Sequence, residues 1–193
     1  MNAKLDRRKK YTRMVLKESL IQELEVKPLS AITVKEICAK ADINRSTFYA
    51  HYNDQYDLLY KIEEEIIEDM NQFLSNYNFT KEEESIKMTQ KLLEYIISKE
   101  DICRVLLNKH ADTTFEKRVM NVARQFIIKN TLTNTTVDQT TSEYWSTFVI
   151  SGIINVIKDW LEDGMNQSPY EMAQMINQFT KQGLSYINPS WFK

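Results

Sequence analysis

Read for the spacing of its apolar and polar residues, the chain is helical throughout. Leu16, Leu20 and Leu24, with Ile21 beside them, predict a first helix from about Arg7 to Glu25, ended by Pro28, Leu29 and Ser30. Val34, Ile37, Cys38 and Ala41 come next at i, i+3, i+4 and i+7, a stripe of only about two turns. Thr33 stands just before that stripe and Glu36 three residues later, the pattern of a capping box. Asp42 tolerates the left-handed conformation of a tight turn, and Asn44 caps a second short helix from Arg45 to about Ala50. On that helix Ile43 and Phe48 point back, while Arg45, Ser46, Thr47 and Tyr49 are left outside. Asn53 or Asp54 then caps a long helix from about Gln55 to Asn76. Leu58, Leu59 and Ile62 on it belong to a first domain, and Ile66, Ile67, Met70, Phe73 and Leu74 to a second. No Gly, Pro or Ser interrupts it between Asp54 and Leu74, so it reads as a stiff connector.

Beyond it, Thr80 with Glu83 opens a helix to about Lys99, with Met88, Leu92, Tyr95 and Ile96 inside. A shorter helix is expected from Asp101 to His110, with Ile102, Val105 and Leu106 inside. Another runs from about Asp112 to Leu132 on Phe115, Val119, Val122 and Phe126. Residues 131–141, rich in Thr and Asn, read as a loop. Trp145, Phe148, Val149, Gly152, Ile153, Val156, Ile157, Trp160 and Leu161 then form an unbroken stripe, and Ile150 and Ile154 add a second apolar side. A helix from Ser142 to Asp163 with two such sides must be covered from two directions. Gly164 stops it. Ser168-Pro-Tyr-Glu171 starts the last helix, Pro169 to Gln182, with Met172, Met175, Ile176 and Phe179 on its stripe. The predicted fold is all-α, about nine helices, with a three-helix domain over 1–60 and a helical domain over 61–193.

Composition narrows the function. Three Gly and three Pro disfavour a turn-rich β fold. The run Phe148 to Ile157 is broken by Ser151, Gly152 and Asn155, so no membrane span is expected. The basic N-terminus has no apolar segment behind it, and Cys38 and Cys103 read as reduced thiols, which together suggest a cytoplasmic protein. The two histidines, His51 and His110, lack partners at zinc-ligand spacing, and there is no Gly-rich phosphate loop or nucleophile motif. Glu63 to Glu65 and Glu82 to Glu84 read as solvated faces. No catalytic residue, metal or cofactor is expected. Charge is unevenly placed: residues 1–61 hold 12 Lys and Arg against 8 Asp and Glu, and the remainder 13 against 19. Lys4, Arg7, Arg8, Lys9, Lys10 and Arg13 face only Asp6 in opposition, an arm suited to neutralising phosphates.

The two short helices around Asp42 have the layout of a helix-turn-helix, whose second helix reads the DNA major groove. Arg45, the Ser46 and Thr47 hydroxyls and Tyr49 are the side chains that would meet phosphates and base edges. An ordinary polar-faced helical hairpin has the same spacing. The residues themselves decide more. Thr33-Val-Lys-Glu-Ile, Asn44-Arg-Ser-Thr-Phe-Tyr and His51-Tyr-Asn-Asp-Gln-Tyr-Asp-Leu-Leu59 resemble the DNA-binding domain of the TetR family of transcriptional regulators, from about Asp6 to Tyr60. The resemblance implies phosphate contacts at Thr33, Val34 and Lys35 and a reading helix of Asn44, Arg45, Ser46, Thr47 and Tyr49. It implies further contacts from His51 and from position 55, where the family's lysine is replaced here by Gln55. Asp42 replaces the usual turn glycine and Tyr52 the usual phenylalanine.

The segment from Ser151 to Gly164 with Ser168-Pro169 is similar to the C-terminal domains of one branch, the dihydroxyacetone kinase regulators. The family resemblance implies a homodimer on double-stranded DNA with a near-palindromic operator, and an effector-binding second domain for a small molecule of unknown identity. Candidate pocket residues are Met70, Phe73, Tyr95, Phe126 and Tyr144. Candidate dimer residues are Phe148, Gly152, Val156, Met172 and Phe179. A ligand-responsive repressor is the leading expectation. An activator or co-activator working with a protein partner, and a helical interaction module without DNA binding, are the alternatives.

Overall fold

The computed structural model describes residues 2–75, 82–107, 114–127 and 138–182, and among them every regular element is a helix. In order these are α1 (Asn2–Leu24), α2 (Val34–Ala41), α3 (Arg45–Tyr49), α4 (Gln55–Ser75), α5 (Glu82–Ser98), α6 (Glu100–Leu107), α7 (Thr114–Ile127), α8 (Gln139–Glu162) and α9 (Pro169–Gln182). A single 3-10 turn, Leu29–Ala31, precedes α2. The chain groups into two compact units, one of residues 1–66 with 101–115 and the other of residues 67–100 with 116–193. The chain first passes from one to the other within the unbroken α4, returns at the start of α6 and crosses again at the start of α7.

In the first unit the core is the apolar stripe of α1 closed by the short helices. Leu16, Leu20 and Leu24 are buried, with Ile32, Ile37, Phe48, Leu58 and Ile62. The caps form as their residues require. Thr33 accepts from the Glu36 amide at 3.3 Å, and Glu36 takes the Thr33 amide back at 2.9 Å. Asp42 adopts the left-handed conformation, φ 53° and ψ 42°, and ends α2. Asp54 accepts from the Asp57 amide at 2.8 Å at the start of α4, while Asp57 accepts from the Asn53 amide at 2.8 Å. α1 begins at Asn2, ahead of the expected Arg7, so that Lys4 joins the later basic residues within the helix.

The second unit is built on α5 against α9. Ser85 (1 % exposed) donates its hydroxyl to the side-chain oxygen of Asn177 (4 % exposed). The Asn177 amide then donates to Thr89 Oγ1 at 3.1 Å and to the Ala173 carbonyl at 2.8 Å. Leu93 continues the Ser85–Thr89 row at i+4 and is fully buried, where Leu92 was expected; Leu92 is half-buried on the other side of α5. That other side joins Met88 to Met70 and Leu74, and Leu92, Val119, Val122, Ala123 and Phe126 pack on the three.

α8 starts at Gln139, three residues before the expected Ser142. Asp138 caps it, accepting from the Thr141 amide at 3.0 Å and from the Thr141 hydroxyl at 2.7 Å. It ends on Gly164 (φ 83°), with Met165 (φ 56°) donating its amide to the Trp160 carbonyl at 2.9 Å. α9 opens with the expected reciprocal box: Ser168 and Glu171 exchange amide bonds at 2.8 and 3.3 Å. α6 and α7 are described only to Leu107 and from Thr114 to Ile127. The cap expected at Thr80, the helix end at His110 and most of the 131–141 loop lie outside the described residues.

The buried polar group between α5 and α9 sets a test. Asn177→Ala leaves the Ser85 hydroxyl buried without its partner, which should cost about 1–3 kcal/mol. Urea unfolding should register that loss, while Gln174→Ala, which removes only a half-buried amide's exposed bond to the Tyr170 hydroxyl, should stay within about 0.5 kcal/mol of the parent.

Candidate nucleic-acid interface

α3 has five residues, too few to be helical alone. Three contacts hold it. Phe48 is fully buried and packs against the Tyr52 ring at 5.6 Å. Asn44 caps the helix, its side-chain oxygen accepting the Ser46 amide and hydroxyl at 3.0 Å each. Past the helix, the His51 and Tyr52 amides both donate to the Phe48 carbonyl, at 2.8 and 2.9 Å. With Phe48 inside, helical spacing turns Arg45 and Tyr49 outward, and both are exposed, Tyr49 by 51 %. Tyr49 stands edge-on to Phe48 at 5.6 Å. The Arg45 guanidinium lies 5.9 Å from the Tyr49 ring centre and donates to its hydroxyl at 3.4 Å, so the two form one pre-arranged outward pair.

The other expected contact residues divide. Thr33 and Lys35 are exposed at the start of α2, but the Val34 side chain is buried, so a phosphate contact from position 34 would have to come from its backbone N–H. Asn44 and Ser46 are exposed yet bonded to each other in the cap, and Thr47 is half-buried. Gln55 is half-buried as the first residue of α4, next to the exposed Tyr56, for which the sequence predicts no role. Arg7, Arg8, Lys9 and Lys10 are all exposed on the early turns of α1. His51 is half-buried, and burial, followed by the charges of Arg13 and Lys9, lowers its pKa. The imidazole is thus disposed to stay neutral beside the basic helix.

A chain of ion pairs fixes α2 on α1. Lys40 reaches Glu23 at 2.8 Å, Lys27 reaches the same Glu23 at 3.4 Å, and Lys27 also reaches Glu36 at 2.7 Å. Glu36 therefore serves as N-terminal capping partner and ion-pair partner together. The Lys27 bond first, then the Thr33 hydroxyl and amide, hold its carboxyl down to about 2.

In the second unit, four of the five pocket candidates meet in two pairs. Met70 and Phe126 share the apolar cluster. The Phe73 and Tyr95 rings meet at 5.2 Å, and Tyr95 donates its hydroxyl to Asp69 at 2.6 Å. Tyr144 departs from them. It is 75 % exposed, one turn from Phe148, which is 80 % exposed on the same face of α8. Gly152 continues that face with nothing within 4 Å of a side-chain position. Val156 is half-buried and Phe179 exposed by 36 %, but Met172 is buried in the unit's own interior and so is not available to a second chain. Among the described residues no helix is long and apolar enough to cross a membrane, and no group of three His, Cys, Asp or Glu is placed to hold a metal ion.

Residues 83–182 match a TetR family model described as the transcriptional regulator C-terminal region. No curated protein matches the chain in sequence. Solved structures do match it in fold. A TetR transcriptional regulator from Streptococcus agalactiae is 21 % identical, covering 94 % of this chain and all of its own, with a TM-score of 0.67. NalD of Pseudomonas aeruginosa, titled the secondary repressor of the MexAB-OprM multidrug efflux pump, is 15 % identical over 91 % of this chain and 97 % of its own, with a TM-score of 0.65. The dihydroxyacetone kinase operon activator DhaS is 15 % identical over 88 % of this chain and 93 % of its own, with a TM-score of 0.58.

Glu36 makes the α1–α2 contact sensitive to acid. Its folded pKa of about 2 lies below the ordinary 4.5, so its contribution is complete above pH 4.5 and disappears as pH falls towards 2. Thermal midpoints of the parent and Glu36→Gln should therefore differ at pH 7 and converge near pH 2. Parallel curves would mean that the carboxylate's charge is not what Lys27 and Thr33 stabilise.

Proposed function

The chain belongs to the TetR family of transcriptional regulators, and we propose that it works as a homodimeric repressor that a small molecule releases from a near-palindromic operator. The observation that carries DNA reading is the state of α3: Phe48 locked inside, Arg45 and Tyr49 paired outside. Such a pair needs no reordering to meet a base edge, and the exposed Arg7 to Lys10 supply charge for phosphates. Lys35 and the N–H groups at the start of α2 supply the register. With Gln55 in place of a cation, α4 offers hydrogen bonds but no charge at its first position.

One α3 reads only a few base pairs. Two of them, about 34–36 Å apart, would read a near-palindrome, and something must hold that spacing. The exposed face of α8 is suited to it: Tyr144, Phe148 and Gly152 are in line, and Phe179 is exposed on α9. Phe148 and Tyr144 are large rings left to solvent by a single chain, while Gly152 lets a second helix approach closely. The effector site is the apolar cluster of Met70, Met88 and Phe126 with the Phe73–Tyr95 pair beside it. Because Met70 and Phe73 lie on α4, and the same helix begins next to the DNA-reading residues, a shift of α4 is the proposed route from effector to operator.

Activation is a second reading, favoured by the likeness in fold to DhaS, which is named an operon activator. Both readings use the same DNA surface. A promoter fusion in cells lacking and containing the protein distinguishes them by the sign of the change.

With an operator selected from random DNA, Arg45→Ala and Tyr49→Ala should each lose about 1–3 kcal/mol of specific affinity and leave the melting temperature close to that of the parent. Unchanged affinity in both would move the reading surface elsewhere. Gly152→Glu tests the dimer. Beyond its own helix backbone and chain neighbours, nothing lies within 4 Å of a Cβ added at this exposed position in one chain, so the variant should stay helical. Sedimentation should find it monomeric, with operator binding lost; a helical, dimeric, operator-binding Gly152→Glu would take α8 out of the interface.

A further inference from the structure

Two polar ties join α7 to α8, and they differ in kind. Lys158 donates to Glu116 at 2.5 Å, a cation matched by a carboxylate. About two turns further along α7, Arg124 donates through Nη2 to Thr147 Oγ1 at 3.0 Å. Thr147 carries no charge, and its hydroxyl already donates to the Glu143 carbonyl at 2.9 Å. Among the described residues no carboxylate pairs with Arg124, and its Nε is buried and donates to nothing. A guanidinium is charged at every physiological pH, and buried N–H groups are almost always bonded. Its Nε edge, Nε with one Nη, is also the edge that takes both oxygens of an oxyanion. Ser151, one turn beyond Thr147 on α8, adds a second half-buried hydroxyl residue to that side of the helix.

We propose that Arg124 is an anion-binding group of the effector site, taking the carboxylate of a small organic acid at the seam of α7 and α8. The proposal rests on the reading of this unit as effector-binding. An organic acid fits better than a bare ion, because the same two turns of α7 contribute Val119, Val122, Ala123 and Phe126 to the apolar cluster. The site also has an outlet. Thr147 precedes Phe148, so an acid that draws Arg124 away from Thr147 acts beside the proposed dimer face.

The test uses the full chain and reads thermal midpoint together with operator affinity. The probes are octanoate and benzoate, each against its neutral amide, and inorganic phosphate. At least one of the acids should raise the midpoint by several degrees where its amide does not. Arg124→Gln should abolish that response, and Arg124→Lys should weaken it about tenfold in acid concentration. Thr147→Val retains the cation and should retain the response, which covers the case of an Arg124→Gln chain that does not fold. A stabilising acid that leaves operator affinity unchanged keeps the anion site and removes the effector reading. Acids no better than their amides, or equally effective on Arg124→Gln, overturn the proposal. So does a response to phosphate alone. A dimer weakened by Arg124→Gln without any acid response also overturns it, giving the Nε edge to a carboxylate of the second copy.

Discussion

A helix of five residues has no stability of its own, and the first unit is arranged to compensate for that. Burial of Phe48 fixes which side of α3 faces inward. Asn44 fixes where α3 begins, and the left-handed Asp42 fixes the angle at which it leaves α2. α2 is itself only two turns and is held by Glu36, through the Thr33 cap on one side and Lys27 on the other. The outward direction of Arg45 and Tyr49 is thus a consequence of groups that do not themselves lie on that outward face. Change the inner contacts and the outer chemistry is re-aimed, although no outward residue has been altered.

The second unit obeys a different logic. Its helices are long enough to persist, so the question is registry instead of existence. Asn177 settles this for α5 and α9 by holding three groups at once. Apolar contacts alone tolerate sliding, since one Leu or Ile serves almost as well as the next. A hydrogen-bonded amide does not tolerate it. The opposite side of α5 is of the permissive kind: methionines and half-buried aliphatic residues around Met70 and Met88, surfaces that adapt to different shapes.

The features legible in the sequence are local ones. Thr33 with Glu36, Asn44, Asp42, Gly164 and Ser168 with Glu171 each announce themselves within four residues, and each takes its expected role. Asp138 has the same kind of signature with Thr141, but it is set in a Thr- and Asn-rich stretch whose composition is that of a loop. Periodicity is less decisive where apolar residues adjoin. It does not choose between Leu92 and Leu93, nor tell which side of α8 its own chain covers, since that depends on helices distant in sequence. For the same reason Tyr144 and Met172 stand on the opposite sides from those expected: Tyr144 is outside and Met172 inside. The Ser85–Asn177 and Arg124–Thr147 pairs have no signature at all, because their members meet only after folding.

Both cysteines are buried, Cys38 on α2 and Cys103 on α6, and both lie in the first unit. Burial pushes the Cys38 thiol up from its ordinary value, so in the closed state it is protonated as well as covered. The α2 carbonyl at the same residue is taken by the Ile43 amide at 3.0 Å, the bond that closes the turn into α3. A thiol reagent therefore reaches Cys38 only when the packing around α2 opens, and reaches Cys103 only when that around α6 does. The two labelling rates are native clocks of local opening. They time separately how often the α2–α3 turn region and α6 leave their closed forms, with no added probe.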